Sequence, residues 1–266
     1  MLNIGWFSTG RGVGSKGLLE AVVENIKKDR IPINIEFVFC NRERGETPDT
    51  DIFLNQVQDY GIPLITLSSQ AFRKQNGGTF SNHRAQFDEE IVNLLEPYKS
   101  TTAILAGYML IASQNLLNKY TMLNIHPALP DGPIGTWQDT IWQLIKEKTP
   151  ESGGHIHIAT QHLDRGPVLT YYSFPLNGPK LDPLWKEISN IPVEQIKSLY
   201  GEHSSLFQAI RNEGMKRERP LLVETLRALS TGRIHLENGF VTRNGTRVHG
   251  GLCMNDEVEH TFTYEN

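Results

Sequence analysis

Through its amino-terminal half the chain alternates short apolar runs with amphipathic stretches, a pattern that restricts it to very few architectures. Residues 4–7 read as a strand, followed by a glycine-rich turn. Leu18, Leu19, Val22, Val23 and Ile26 then share one helical face, with Lys27 and Lys28 suited to the negative carboxyl end of that helix. Residues 35–40 form a second buried strand, and 51–60 a helix capped by Thr50 or Asp49. A strand at 64–67 follows, then a helix burying Phe87, Ile91, Leu94 and Leu95, then a strand at 103–106. Right-handed crossovers between such units give an α/β fold: a Rossmann-like, mostly parallel central sheet with helices on both faces. The carboxyl ends of its strands gather along one edge, where such sheets bind ligands.

Beyond residue 120 the rhythm loosens. Residues 121–125 read as a strand, Trp137, Ile141, Leu144 and Ile145 lie at helical spacing, and His155 and His157 alternate as in a strand. Helical pieces are expected at 193–211 and 217–230. The end reads as a C-terminal hairpin, 233–236 and 240–243, around the turn Asn238-Gly239, with a second Asn244-Gly245 beyond it. With no repeat or linker in view, we expect a single domain over 1–266. Residues 1–120 would be its nucleotide- or phosphate-binding half, and 121–266 a catalytic half with an extra segment at about 176–210. That segment, with Trp185, Leu199 and Phe207, could act as a lid, a subunit contact or a packed surface excursion.

Composition removes several classes. The chain has 266 residues, and 26 Lys plus Arg against 30 Asp plus Glu leave a net charge of −4, without the basic excess that a nucleic-acid backbone demands. Two cysteines, Cys40 and Cys253, do not staple a fold of this size and suit a reducing compartment. No apolar run approaches the ~20 residues of a membrane span, and the amino terminus lacks a basic-then-apolar signal. A cytoplasmic enzyme, monomeric or homodimeric, is the expectation.

Three segments carry chemistry. Gly10-Arg-Gly12-Val-Gly14-Ser15-Lys16-Gly17 sits between strand and helix, where free N–H groups and the helix dipole favour phosphate. Gly12, Gly14 and Gly17 also spell the dinucleotide fingerprint, which an NADP-dependent reductase would use with Arg42 on the 2′-phosphate; the matching acid, Glu36, lies inside the second strand instead of at its end. In Asn124-Ile-His126-Pro127 a strand presents an amide and an imidazole on one face, although a turn-capping Asn and a solvated His would leave the same trace. The third segment, His155-Ile-His157 through Asp164-Arg165-Gly166-Pro167, delivers two imidazoles and a carboxylate. With His126 they could be read as metal ligands, but the ligand count is short and no metal is expected.

Together with Ile104-Leu-Ala-Gly107-Tyr108-Met109, these segments resemble the folate-dependent formyltransferases, over residues 1 to about 175 and again from about 215. The resemblance implies the formyltransferase version of the Rossmann-like fold. It implies transfer of a formyl group from 10-formyltetrahydrofolate to a small primary amine, with glycinamide ribonucleotide of purine biosynthesis favoured by the amino-terminal glycine turn. An amino sugar or another phosphorylated amine is the alternative within the class, and a non-catalytic folate- or nucleotide-binding protein the alternative outside it. By the same resemblance Asn124, His126 and Asp164 are the catalytic trio, with Asp164 keeping His126 charged. Gly12, Gly14, Ser15, Lys16, Gly107 and His157 would serve the acceptor. The backbone of Tyr108, Met109, Leu110 and Ile111 and the loop Thr160, Gln161, His162 and Leu163 would take the pterin. Departures from the family pattern cluster on the acceptor side. Leu110 stands where Arg is usual, Lys16 where Asn is usual, Trp137 where a His is expected, and the substrate glutamate aligns poorly, Glu213 and Glu218 being nearest.

Overall fold

The computed structural model describes residues 1–237 and 239–263. Its elements run β1 (Leu2–Ser8), α1 (Gly12–Lys27), β2 (Ile33–Cys40), α2 (Pro48–Asp59), β3 (Leu64–Thr66), α3 (Ser69–Asn76), α4 (Phe80–Leu94), β4 (Thr102–Leu105), α5 (Gln114–Lys119) and β5 (Thr121–His126). There follow α6 (Trp137–Glu147), β6 (Glu151–Ile158), β7 (Val168–Pro175), α7 (Asp182–Ile188), α8 (Val193–Tyr200), α9 (Ser205–Ser230), β8 (His235–Glu237), β9 (Phe240–Arg243), β10 (Thr246–Arg247), β11 (Leu252–Cys253) and α10 (Asn255–Thr263). An eight-stranded sheet is ordered β11-β7-β6-β5-β4-β1-β2-β3. Its pairs are parallel from β3 across to β5, antiparallel on both sides of β6, and parallel again between β7 and β11.

Each face of the sheet is covered by helices. On one side α1, α2, α6 and α9 bury Leu19, Val22, Phe53, Val57, Ile145 and Phe207 against Ile4, Trp6, Leu123 and Ile156. On the other, α3, α4 and α5 bury Phe72, Phe87, Ile91 and Leu116 against Phe7, Phe37, Phe39 and Met122. In β2 the two faces exchange phase part-way: Ile33 and Ile35 face the first layer, Phe37 and Phe39 the second. The register slips by one residue between the pairs Ile4–Ile35 and Gly5–Phe37, so Glu36 is the extra residue of a bulge. Its carboxylate accepts from the N–H groups of Lys99 and Ser100 at 2.9 and 2.7 Å.

Several boundaries differ from the sequence expectation. Helix α2 begins at Pro48, its cap being Thr47, whose hydroxyl accepts from the Thr50 N–H; Pro at the first helical position has no N–H to waste there. In α4 Leu94 turns out to be exposed, while Phe87 and Ile91, and Leu95 just past its end, are buried. The expected helices at 193–211 and 217–230 are divided elsewhere. Helix α8 ends at Tyr200, and α9 runs unbroken for 26 residues with Pro220 inside it. Pro removes one helical hydrogen bond, but Leu221, Leu222, Val223 and Leu226 are buried just beyond it, and that packing holds the helix together. The extra segment packs as a surface layer: Leu181 and Ile196 join the core, and the Trp185 indole N–H donates to the Leu176 carbonyl at 2.6 Å. The expected terminal hairpin is a three-stranded antiparallel meander, β8-β9-β10, followed by β11 and α10, which the sequence reading lacked. Of the turn expected at Asn238-Gly239, Asn238 lies outside the described residues. No helix among the described residues is long and apolar enough to cross a membrane.

Candidate active site

Strand β5 lies antiparallel to β6 with Asn124 opposite His157 and His126 opposite His155. Residues two apart on a strand share a face, so these four polar side chains project together from one side of the sheet. Leu123, Ile156 and Ile158 supply the other side with apolar core. The loop after β6 folds back so that Asp164 meets them, its backbone held at φ 52°, a left-handed conformation that Asp tolerates better than most residues. Gly166 permits that return, because a Cβ there would collide with the Ile158 carbonyl.

The cluster is tight. The Asn124 amide donates to His157 Nε2 at 3.2 Å and to Asp164 Oδ1 at 3.4 Å. His126 Nδ1 lies 3.5 Å from Asp164 Oδ2, and His157 Nε2 3.7 Å from Oδ1. The segment after Pro127 closes over the group: His126 Nε2 donates to the Pro133 carbonyl at 2.7 Å, and the Gly135 N–H donates to Asp164 Oδ2 at 3.1 Å. Arg165 ties the same segment down through the Gly132 carbonyl at 3.1 Å. A carbonyl only accepts, so the proton of a neutral His126 sits on Nε2 and its bare Nδ1 faces the carboxylate. By the same logic His157, bonded through Nδ1 to the Ile158 carbonyl at 3.0 Å, offers Nε2 to the Asn124 amide. His126, His157 and Asp164 are buried; Asn124, half-buried, is the member that reaches solvent.

Electrostatics sharpen the picture and correct one expectation. Burial pushes the Asp164 carboxyl up, but the His157 and His126 imidazoles and the Gly135 N–H together hold it below the usual carboxylate range. Burial lowers His126, and this outweighs the Pro133 carbonyl and the Asp164 charge. Asp164 therefore does not keep His126 charged in the free protein, as the resemblance had implied.

The remaining predicted residues divide. Gly107, at φ 69°, lies against Ser15, where a Cβ would collide with the hydroxyl, and its carbonyl accepts from the Thr9 N–H at 3.0 Å. Helix α1 starts at Gly12, so the backbone of Gly12 and Gly14 opens its first turn onto free space. The Ser15 side chain is buried and donates to the Arg11 carbonyl at 3.3 Å; Lys16 is half-buried. Since Leu105 pairs with Asn124, residues 106–113 emerge beside the cluster. There the Tyr108 ring turns into the core, 5.6 Å from the Phe7 ring, and leaves only its backbone at the edge; Leu110 packs partly on the same core. Met109, Ile111 and Leu163 are exposed apolar side chains. Thr160, Gln161 and His162 lie on the return loop, where the Gln161 amide donates to Gln114 and the Thr160 hydroxyl to the His162 carbonyl. Sequence reasoning missed Pro133 and Gly135, whose backbone groups complete the cluster and leave no trace in residue type. Among the described residues no set of three or more His, Cys, Asp or Glu is placed to hold a metal ion.

An amide N–H, an imidazole N–H and a carboxylate converging within hydrogen-bonding range can hold a tetrahedral oxyanion and shuttle a proton, the needs of a carbonyl group transfer. The chain belongs to the formyl transferase family, whose description it matches over residues 12–177, more than half its length. It is 28% identical over 166 residues to a phosphoribosylglycinamide formyltransferase of Escherichia coli, covering 61% of this chain and 70% of that protein. In structure it resembles the phosphoribosylglycinamide formyltransferase of Coxiella burnetii, with TM-score 0.68 and 20% identity over 95% of this chain and 98% of that one. A formyltetrahydrofolate deformylase of Pseudomonas syringae shares the fold at TM-score 0.63 and 16% identity, over 91% of this chain and 65% of that one.

Proposed function

We propose that the protein transfers the formyl group of 10-formyltetrahydrofolate to a phosphate-bearing primary amine, glycinamide ribonucleotide being the first candidate. The observation that carries this reading is the convergence of Asn124, His126 and Asp164 on one sheet face beside an open glycine turn. In this reading residues 1–120 present the acceptor and 121–266 the chemistry, within one cytoplasmic domain. The first-turn N–H groups at Gly12, Gly14 and Ser15 hold the acceptor phosphate, with Lys16 beside them and Gly107 shaping the approach. The pterin lies along the 108–111 backbone and the 160–163 loop, flanked by the exposed Met109, Ile111 and Leu163. A flat heterocycle suits such an apolar rim around a polar floor.

The amine attacks the formyl carbon, leaving negative charge on oxygen and positive charge on nitrogen. Substrate reaches the cluster from the half-buried Asn124 side, and the Asn124 amide meets the oxygen first. His126 exchanges the Pro133 carbonyl for the same oxygen. One such donor is worth about 3 kcal/mol in the transition state. Asp164, held ionised, takes the proton lost by the amine through a water and returns it to the departing folate nitrogen. His157 fixes the Asn124 amide by accepting its second N–H.

Two observations speak against the reductase reading: family membership, and Glu36, whose carboxylate is held by the 99–100 backbone just before β4 begins, at the sheet edge opposite the glycine turn. The test is to mix the protein with 10-formyltetrahydrofolate and a panel of phosphorylated and plain amines while following tetrahydrofolate. Acceptor-dependent release supports the proposal; folded protein that releases none with any amine refutes it.

A further inference from the structure

One imidazole of the site has no part in the mechanism above. His155 is 2% exposed, sits across from His126 on the antiparallel pair, and has its ring centroid 5.4 Å from that of His126 and 5.2 Å from that of His157. Its Nδ1 is 2.7 Å from the carbonyl of Ala128, itself fully buried. Ala128 opens the segment whose Pro133 carbonyl engages His126 and whose Gly135 N–H engages Asp164. We propose that His155 is the positioning residue of this site: its Nδ1–H clamps Ala128, and so sets where the 127–135 segment places its contacts to His126 and Asp164. The inference rests on the reading of His126 and Asp164 as catalytic.

Three features favour histidine for this task. A carbonyl only accepts, so the ring must donate from Nδ1. The ring fills the space between two other imidazoles, where a small side chain would leave a void. Finally, burial, reinforced by the nearby His157 and His126, lowers its proton affinity to about 4 despite the Ala128 carbonyl and Asp164. The groups that face it are His126 from β5, His157 from β6 and Asp164 from the return loop, with Arg165 beyond acting on His126. A neutral ring there adds no cation to compete with His126 for the Asp164 carboxylate.

The test compares two substitutions. Asn places an amide N–H near the position of Nδ1, whereas Leu keeps the bulk and drops the donor. In acceptor-dependent formyl transfer His155→Leu should lose about 10-fold or more in kcat, as displaced catalytic groups do, with KM for 10-formyltetrahydrofolate nearly unchanged. His155→Asn should recover most of that loss. Equal losses in both variants, or a change in KM alone, would overturn the proposal. A second measurement needs neither activity nor a stable Leu variant: NMR of the unmutated protein labelled with ¹⁵N-histidine. His155 should carry its proton on Nδ1 and stay neutral from pH 5 to 8; titration in that range, or a proton on Nε2, refutes the clamp. If the clamp is seen but no amine accepts a formyl group, the catalytic reading fails and the clamp stands.

Discussion

Acidifying the protein from pH 7 to pH 5 should destabilise it measurably through His155 alone. In the folded chain this ring binds a proton only near pH 4, against an ordinary value of 6.5 that applies once the chain unfolds. Between those values the unfolded state holds more protons than the folded one, so stability is fully present above pH 6.5 and is lost as pH falls toward 4. At pH 5 the unfolded ring is almost wholly protonated and the folded one about one-tenth so, a difference of about 2 kcal/mol. His126, also lowered by burial, acts in the same direction. Urea unfolding at pH 7, 6 and 5 would measure the combined slope, and the same series on His155→Asn isolates the share of His155. The variant should be flatter by about 2 kcal/mol over this range. Parallel curves for the two proteins would mean that His155 is not held neutral by its surroundings.

Asp164→Asn should lower kcat about 100-fold or more by removing the proton shuttle while folate affinity, measured by fluorescence titration, changes little; undiminished turnover would remove Asp164 from the mechanism. Gly107→Ala introduces a Cβ against the Ser15 hydroxyl at a positive φ. It should destabilise by about 1 kcal/mol or more and raise KM for a phosphorylated acceptor more than KM for the formyl donor, as steady-state kinetics would show. Phe207, fully buried, packs its ring at a tilt against Trp142 and Trp137, with centroids 4.8 and 5.8 Å away, joining α9 to the helix that follows the closing segment. Phe207→Ala should cost about 3–5 kcal/mol in chemical denaturation.

Much of the sheet half was readable because strand and helix periods alternate cleanly there, and the face shared by Asn124 and His126 followed from the two-residue period of a strand. The same period put His155 beside His157. What joins those two pairs is the β5–β6 register, a long-range property that local pattern does not carry. Backbone partners were equally hidden, since Pro133 and Gly135 act through a carbonyl and an N–H that every such residue owns. The break expected between 211 and 217 is absent: α9 runs through it and through Pro220, whose local cost is overridden by burial of the turn beyond it. The Thr47-Pro48 start of α2 was legible as a cap followed by Pro, and the apolar pattern alone placed it too late.

A deformylase shares this fold, and in such a site water could take the formyl carbon in place of an amine. The direct measurement is NMR of a reaction supplied with 10-formyltetrahydrofolate carrying ¹³C in the formyl group, with glycinamide ribonucleotide present or withheld. A formamide signal should grow with tetrahydrofolate, depend on the amine and collapse in Asp164→Asn. Labelled formate appearing at the same rate with or without the amine would contradict transfer to an amine.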